Sequence, residues 1–271
     1  LDDEEFAAST ERCAGDRGAV NLPHFVSPIA VAYNLPEIEG STLNLTNEAL
    51  ARIFRGEVEN WSDPLIADSN PDLDLPDRAI DVIVRNDDSG TTDNFTQYLS
   101  AAAPGVWTDG VFGDWSAQGP TGVGSAQFTE GVVAAIAAGE GSIGYADLGQ
   151  IGALSAAAVE VAGEFVPPTP EGAAAVFDDS ERVTGNNELD FAFELNRTPA
   201  NPEVYPISLV AYHVVCLQYD DAATADDVKD FLRFVGSEQG QRIAQELAGS
   251  SPISDTLREQ LASTIDAIGS S

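Results

Sequence analysis

The stretch Arg85-Asn86-Asp87-Asp88-Ser89-Gly90-Thr91 constrains this chain more than any other. It follows a mostly apolar run, Ile80-Asp81-Val82-Ile83-Val84, that reads as a short buried strand. It precedes Thr92-Asp93-Asn94-Phe95-Thr96-Gln97-Tyr98-Leu99, which reads as the opening of a helix. A strand, a short loop ending in Ser-Gly-Thr and a helix together make an anion site. The first amides of a helix have no intrahelical acceptor, and the helix dipole places partial positive charge there. Ser89 and Thr91 add hydroxyl donors, and Gly90 lets the backbone approach a ligand closely. Arg85 can offer a fork of donors to two oxygens of one tetrahedral anion. Asp87, a carboxylate beside an anion site, fits if it orients Arg85 or accepts a proton that the ligand still carries. Taken in isolation, the loop reads equally well as a strand-to-helix connection with a capping serine and a surface Arg-Asp pair.

Along the chain, apolar strands alternate with helical patterns, the signature of an α/β protein. Strands are expected over 26–34, 80–85, 142–145 and 207–218. Helices are expected over 47–54 with Thr46 as cap, 91–102, 130–138, 225–235, 238–248 and 254–264. Residues 167–202 carry much of the Pro, Gly and Asn, with a weak helix near 173–177. There is no internal repeat.

The chain has 271 residues, 43% of them hydrophobic, enough for one large core or two modest ones. No apolar run is long enough to span a bilayer, and no signal-peptide pattern is present. Methionine is absent even at position 1, which points to a processed form or a fragment. The net charge is −33, from 45 acidic and 12 basic residues, and Lys229 is the only lysine. Such a field repels nucleic acid and anionic lipid, so neither is expected as a partner. It also repels small anions at long range, so an anion binder here must rely on short-range donors. The acidity reads as solubility in a salty medium; no acidic loop has calcium-site spacing, and no metal or cofactor is expected.

Several motifs in order resemble one family. Arg85 to Thr91 is similar to the R-x-D-x-S-G-T phosphate motif of the phosphate-binding proteins of phosphate-specific ABC transporters. Pro28 to Pro36 resembles their crossing strand. Leu43 to Gly56 with Asn60-Trp61-Ser62-Asp63-Pro64 resembles L-T-x-x-x-L-x-x-I-F-x-G…W-x-D-P. Gly141-Ser142-Ile143-Gly144-Tyr145 matches G-S-I-G-Y, and Tyr205-Pro206-Ile207 matches the return strand. The resemblance runs from about Pro23 to Ser254. It implies a two-lobed periplasmic-binding-protein-like fold with a ligand cleft between lobes, one lobe of 1–35 plus 206–271 and the other of 36–205. It also implies extracytoplasmic binding of inorganic phosphate, through Arg85, Asp87, Ser89, Gly90 and Thr91, for delivery to a membrane ABC permease. The protein would be a monomer in the periplasm or at the cell surface, with a lipid anchor as one option.

Two departures stand out. Leu1-Asp2-Asp3-Glu4-Glu5 looks like the acidic stretch that follows a Ser-Asp pair in the family, so family contacts from before that point are expected to be missing and the chain alone to bind weakly. Residues 122–132 replace a shorter glycine-lysine-glycine type loop, which removes any expectation of ligand contact from it. The resemblance puts Cys13 and Cys216 in the same lobe, so a disulfide between them is expected in an exported protein.

Other readings remain at this level. Another oxyanion such as sulfate would have no use for an acceptor carboxylate. A relative that keeps the fold for signalling or adhesion would need no ligand. A hydrolase using Ser89 needs a base, but His24 and His213 both lie in apolar strand-like surroundings and no G-x-S-x-G elbow is present, so no enzyme is expected.

Overall fold

The computed structural model describes residues 3–183 and 187–270. Leu1 and Asp2 of the acidic N-terminal stretch, residues 184–186 of the Pro-, Gly- and Asn-rich segment, and Ser271 lie outside the described residues. The chain opens with α1 (Asp3–Arg12), the long β1 (Ala19–Tyr33), β2 (Asn44–Leu45), α2 (Asn47–Phe54) and α3 (Pro64–Ala67). It continues with β3 (Asp81–Arg85), α4 (Gly90–Ala102), α5 (Trp115–Gln118), β4 (Gly124–Ala126), α6 (Phe128–Ala138) and β5 (Ser142–Asp147). Next come β6 (Ser155–Ala156), β7 (Ala158–Val161), β8 (Glu164–Val166), α7 (Pro170–Ala174), β9 (Glu181–Arg182) and β10 (Phe193–Glu194). The last are β11 (Ser208–Cys216), β12 (Gln218–Tyr219), α8 (Ala222–Gly236), α9 (Glu238–Ala248), α10 (Asp255–Asp266) and β13 (Gly269–Ser270).

These elements form two compact units. The larger comprises Ser27–Val176 and Asn196–Leu209; the smaller comprises Leu1–Val26, Phe177–Leu195 and Val210–Ser271. The division read from the sequence differs in where it assigns residues 27–35, 177–195 and 206–209.

In the larger unit, β5 pairs antiparallel with β1 and parallel with β3, and β3 pairs parallel with β4. Strand alternation sorts side chains onto two faces. Ile29, Val31, Tyr33, Val82, Val84, Ile143 and Tyr145 point into one core, with Phe54 and Phe95 packed at 4.7 Å and Phe95 stacked on Tyr145 at 4.6 Å. Ala30, Ala32, Ile83 and Ala146 point the other way, onto Val132 and Ile136 of α6. The sheet therefore has a helix-bearing layer on each face. Gly144 explains part of the G-S-I-G-Y pattern: a Cβ there would lie 2.4 Å from the Ile83 carbonyl oxygen, so only glycine lets β5 approach β3. Gly141, at φ 92°, supplies the turn into β5, and its carbonyl accepts the Trp61 indole N–H at 2.9 Å.

In the smaller unit, Cys13 and Cys216 are joined in a disulfide. The Leu217 amide donates to the Gly18 carbonyl at 3.0 Å. Gln241 is a buried staple: its Nε2 donates to the His24 and Val235 carbonyls, and its Oε1 accepts from the Ile253 amide. Among the described residues, no helix is long and apolar enough to cross a membrane.

Candidate functional site

β3 delivers Arg85 at its C-terminal end, directly before the loop that opens α4. In an open parallel sheet this is where helix N-termini collect and ligands bind. Ser89, with extended backbone, is the N-cap of α4, and its Oγ accepts from the Thr91 amide at 3.1 Å. The loop is held from behind by the Ser89 amide, which donates to the Gly113 carbonyl at 3.1 Å. Gly90 is exposed, and a Cβ there would touch only Leu209 Cδ1 at 3.5 Å, so packing does not require the glycine. Its value lies on the open side.

Arg85 is buried, with 9% of its side chain exposed. Its Nε donates to Asp87 Oδ1 at 2.9 Å and its Nη2 to Asp87 Oδ2, a bidentate pair; its Nη1 donates to Thr129 Oγ1 at 3.3 Å. A guanidinium carries five N–H groups. Three are thereby engaged, which leaves one on Nη1 and one on Nη2. Asp87 Oδ1 also accepts from the Phe128 amide at 2.9 Å. The hydrogen bond from Arg85, then that from Phe128, holds the Asp87 carboxyl down at about 2. The same pair raises the Arg85 pKa further.

Residues 122–132 thus contribute by another route than the sequence pattern suggests. They form β4 and the start of α6, whose first two residues hold Asp87 and Arg85 in place. Phe128 does so at φ 59°, in the left-handed region, and the residue is 55% exposed. Tyr145 was also missed by sequence reasoning as part of this site. Its hydroxyl bonds Thr92 Oγ1 at 2.7 Å and accepts from the Arg85 amide at 3.4 Å, tying the end of β3 to the first turn of α4. Burial pushes the Tyr145 phenol up to about 12, so it stays protonated. Arg197, also buried, locks α4 to the return segment. Its Nη1 donates to the Pro206 and Ser208 carbonyls, and its Nη2 to Gln97 Oε1 at 3.0 Å and to Asn94 Oδ1.

The histidines are elsewhere. His24 Nδ1 and His213 Nδ1 lie 3.0 Å apart in the smaller unit, paired with each other. Among the described residues, no group of three or more His, Cys, Asp or Glu could hold a metal.

Comparison with known proteins gives the chain a family. The model of the PBP superfamily domain matches residues 1–239. Phosphate-binding protein PstS 3 of Mycobacterium leprae is 34% identical over 277 residues, covering 99% of this chain and 71% of that protein. The chain belongs to the family of PstS phosphate-binding proteins. PstS of Xylella fastidiosa is 34% identical over 233 residues, covering 85% of this chain and 62% of its own. The phosphate-binding protein of Stenotrophomonas maltophilia has a similar fold, with a TM-score of 0.72 at 19% identity over 97% of this chain and 76% of that one. The high-affinity periplasmic phosphate-binding protein PfluDING, solved with phosphate, has a TM-score of 0.69 at 19% identity over the same shares. The α/β periplasmic-binding-protein fold expected from the sequence is the fold observed.

Proposed function

We propose that this chain binds inorganic phosphate outside the cytoplasm and delivers it to the permease of an ABC transporter, without catalysing a reaction. Membership of the PstS family supports the ligand class. The observation that carries the site is Arg85: a buried guanidinium fixed by Asp87 and Thr129, with two N–H groups left over, beside the N-terminus of α4. In this reading those N–H groups, the Gly90 amide, and the hydroxyls of Ser89 and Thr91 bind phosphate oxygens. The Ser89 Oγ that caps Thr91 accepts there, so its own proton is free to point at the ligand.

Asp87 takes the orienting role of the two open to it. Both its oxygens accept hydrogen bonds from Arg85 or the Phe128 amide, and a carboxyl held at about 2 is a poor acceptor for a ligand proton. The argument for phosphate over sulfate therefore does not run through Asp87; it rests on the family. The Ser89 Oγ caps the Thr91 amide, and the two imidazoles are paired with each other, which favours binding over hydrolysis.

Calorimetric titration of phosphate and of sulfate into the chain tests the reading. Phosphate is expected to bind more tightly, and Arg85→Ala to lose about 2–5 kcal/mol where the contact is desolvated. Equal binding of both anions, insensitive to Arg85→Ala, would remove the proposal.

A further inference from the structure

Two described residues other than glycine have a positive φ, Ala162 at 51° and Phe128 at 59°. Ala162 is small and sits beside Gly163 in the tight turn between β7 and β8. Phe128 is neither small nor in a hairpin turn; it opens α6. A bulky side chain in the left-handed region is strained, and glycine would take the same backbone at no steric cost. The backbone bond made here, from the Phe128 amide to Asp87 Oδ1 at 2.9 Å, is one that any residue except proline could make. The use of phenylalanine therefore lies in its ring. Yet that ring does not serve the fold. Phe128 belongs to neither core that flanks the large sheet, and among the described residues it stacks on no aromatic ring or cation. The residue is 55% exposed. Strained residues collect at functional sites, where the surroundings hold the strain and the site uses it. Phe128 stands at such a place. Its amide is on Asp87, and the next residue, Thr129, accepts from Arg85 Nη1 at 3.3 Å. The ring thus springs from backbone within one side-chain length of the guanidinium that has two N–H groups left over.

We propose that the Phe128 ring is an apolar wall of the anion site: with phosphate on Arg85 and the first turn of α4, the ring closes the Arg85 side of the ligand against water. The inference rests on the phosphate reading above and adds a residue to it. Charge-assisted hydrogen bonds strengthen as water is excluded and the local dielectric falls. A chain of net charge −33 repels its anionic ligand at long range, so it depends on that short-range gain. A phenyl ring excludes water without bringing a like charge to the ligand, whereas the neighbouring Asp88 and Glu130, both exposed, would bring one. A polar residue at 128 would hold water at the same spot.

The test is a titration of inorganic phosphate into isotope-labelled wild type, Phe128→Gly, Phe128→Ala, Phe128→Leu and Arg85→Ala, following the Gly90 amide by NMR, with a thermal melt of each chain. Every substitution at 128 keeps the amide on Asp87, and Phe128→Gly also relieves the strain. Phe128→Gly and Phe128→Ala are each expected to weaken phosphate at least about fivefold, with Phe128→Leu retaining most of the affinity and the Tm of Phe128→Gly equal to or above that of the wild type. The deficit of Phe128→Ala should grow between about 0.1 M and about 1 M salt, because a wetter site is more open to screening. Wild-type affinity in Phe128→Gly and Phe128→Ala, while Arg85→Ala loses the response, would overturn this inference and leave the phosphate reading standing. A weakened Phe128→Gly with a lowered Tm would make the ring structural and overturn it equally, as would leucine no better than alanine or a deficit independent of salt. An Arg85→Ala response equal to the wild type would remove the phosphate reading itself, and this inference with it.

Discussion

Replacing Asp87 with Asn separates the charge of this residue from its shape. The amide oxygen can still accept from the Phe128 amide, but the other oxygen becomes an NH2 group facing an Arg85 donor. The carboxyl is lowered from 3.8 to about 2, chiefly by the Arg85 hydrogen bond. By linkage that shift corresponds to about 2.4 kcal/mol. The Asp87 side chain is 18% exposed, so solvent screening reduces the expectation to about 1–2 kcal/mol. The sign follows from a depressed folded-state pKa. The contribution is complete above the ordinary carboxylate range and disappears as pH falls through about 2. Urea unfolding of the wild-type chain and Asp87→Asn should thus differ by about 1–2 kcal/mol at pH 7, with the gap narrowing below about pH 4. A double-mutant cycle with Arg85→Gln should return most of that difference as coupling. A gap independent of pH, or coupling near zero, would refute the claim that Asp87 acts by holding Arg85.

Four further outcomes are expected. Tyr145→Phe removes the hydroxyl shared by Thr92 and the Arg85 amide, and should cost about 1–2 kcal/mol in unfolding experiments and weaken phosphate binding severalfold. Gly144→Ala forces a Cβ against the Ile83 carbonyl and should destabilise by about 2–4 kcal/mol, read as a lowered Tm, whereas Gly105→Ala, whose Cβ meets nothing within 4 Å, should cost far less. Titration of the unreduced, denatured chain should find no free thiol, and reduction of the bridge across 203 residues should lower stability by up to about 5 kcal/mol in the chain-entropy account. His24, lowered to about 4 by burial, protonates in the unfolded chain first, so the wild type should lose about 2–3 kcal/mol relative to His24→Leu as pH falls from about 6.5 to 4, and no more below that.

The sequence was most readable where local signals agreed. α2 appears over the expected residues with Thr46 capping it through the Ala49 amide, and α9 likewise runs over the expected span. There periodicity, cap and length all point the same way. β1 begins seven residues before the expected start at 26 and carries Pro23 within the added stretch, since proline is tolerated in a strand where its nitrogen need not donate. The β7–β8 hairpin was missed because its turn places Ala162 at φ 51° ahead of Gly163 at φ 85°, and alanine is not a turn signal. In the candidate site, the motif from Arg85 to Thr91 was visible because chemistry and spacing coincide in one segment. The residues that hold it were not. Thr129 and Phe128 arrive from 44 and 41 residues away along the chain, and Tyr145 lies in a strand pattern that reads as core. Their roles arise from the β3–β4 and β3–β5 pairings, which a single sequence does not display.

The central claim is that phosphate sits on Arg85 and the first turn of α4. It is tested most directly by adding inorganic phosphate to isotope-labelled chain and following the backbone amides and the Arg85 Nε–H by NMR, a measurement that remains informative when affinity is low. The account predicts a saturable response centred on the Gly90 amide, with the adjoining Thr91 amide and Arg85 Nε–H shifting through their bonded neighbours, stronger for phosphate than for sulfate, with the amide response abolished in Arg85→Ala. A saturable response located elsewhere, or no response across residues 85–92, would contradict it.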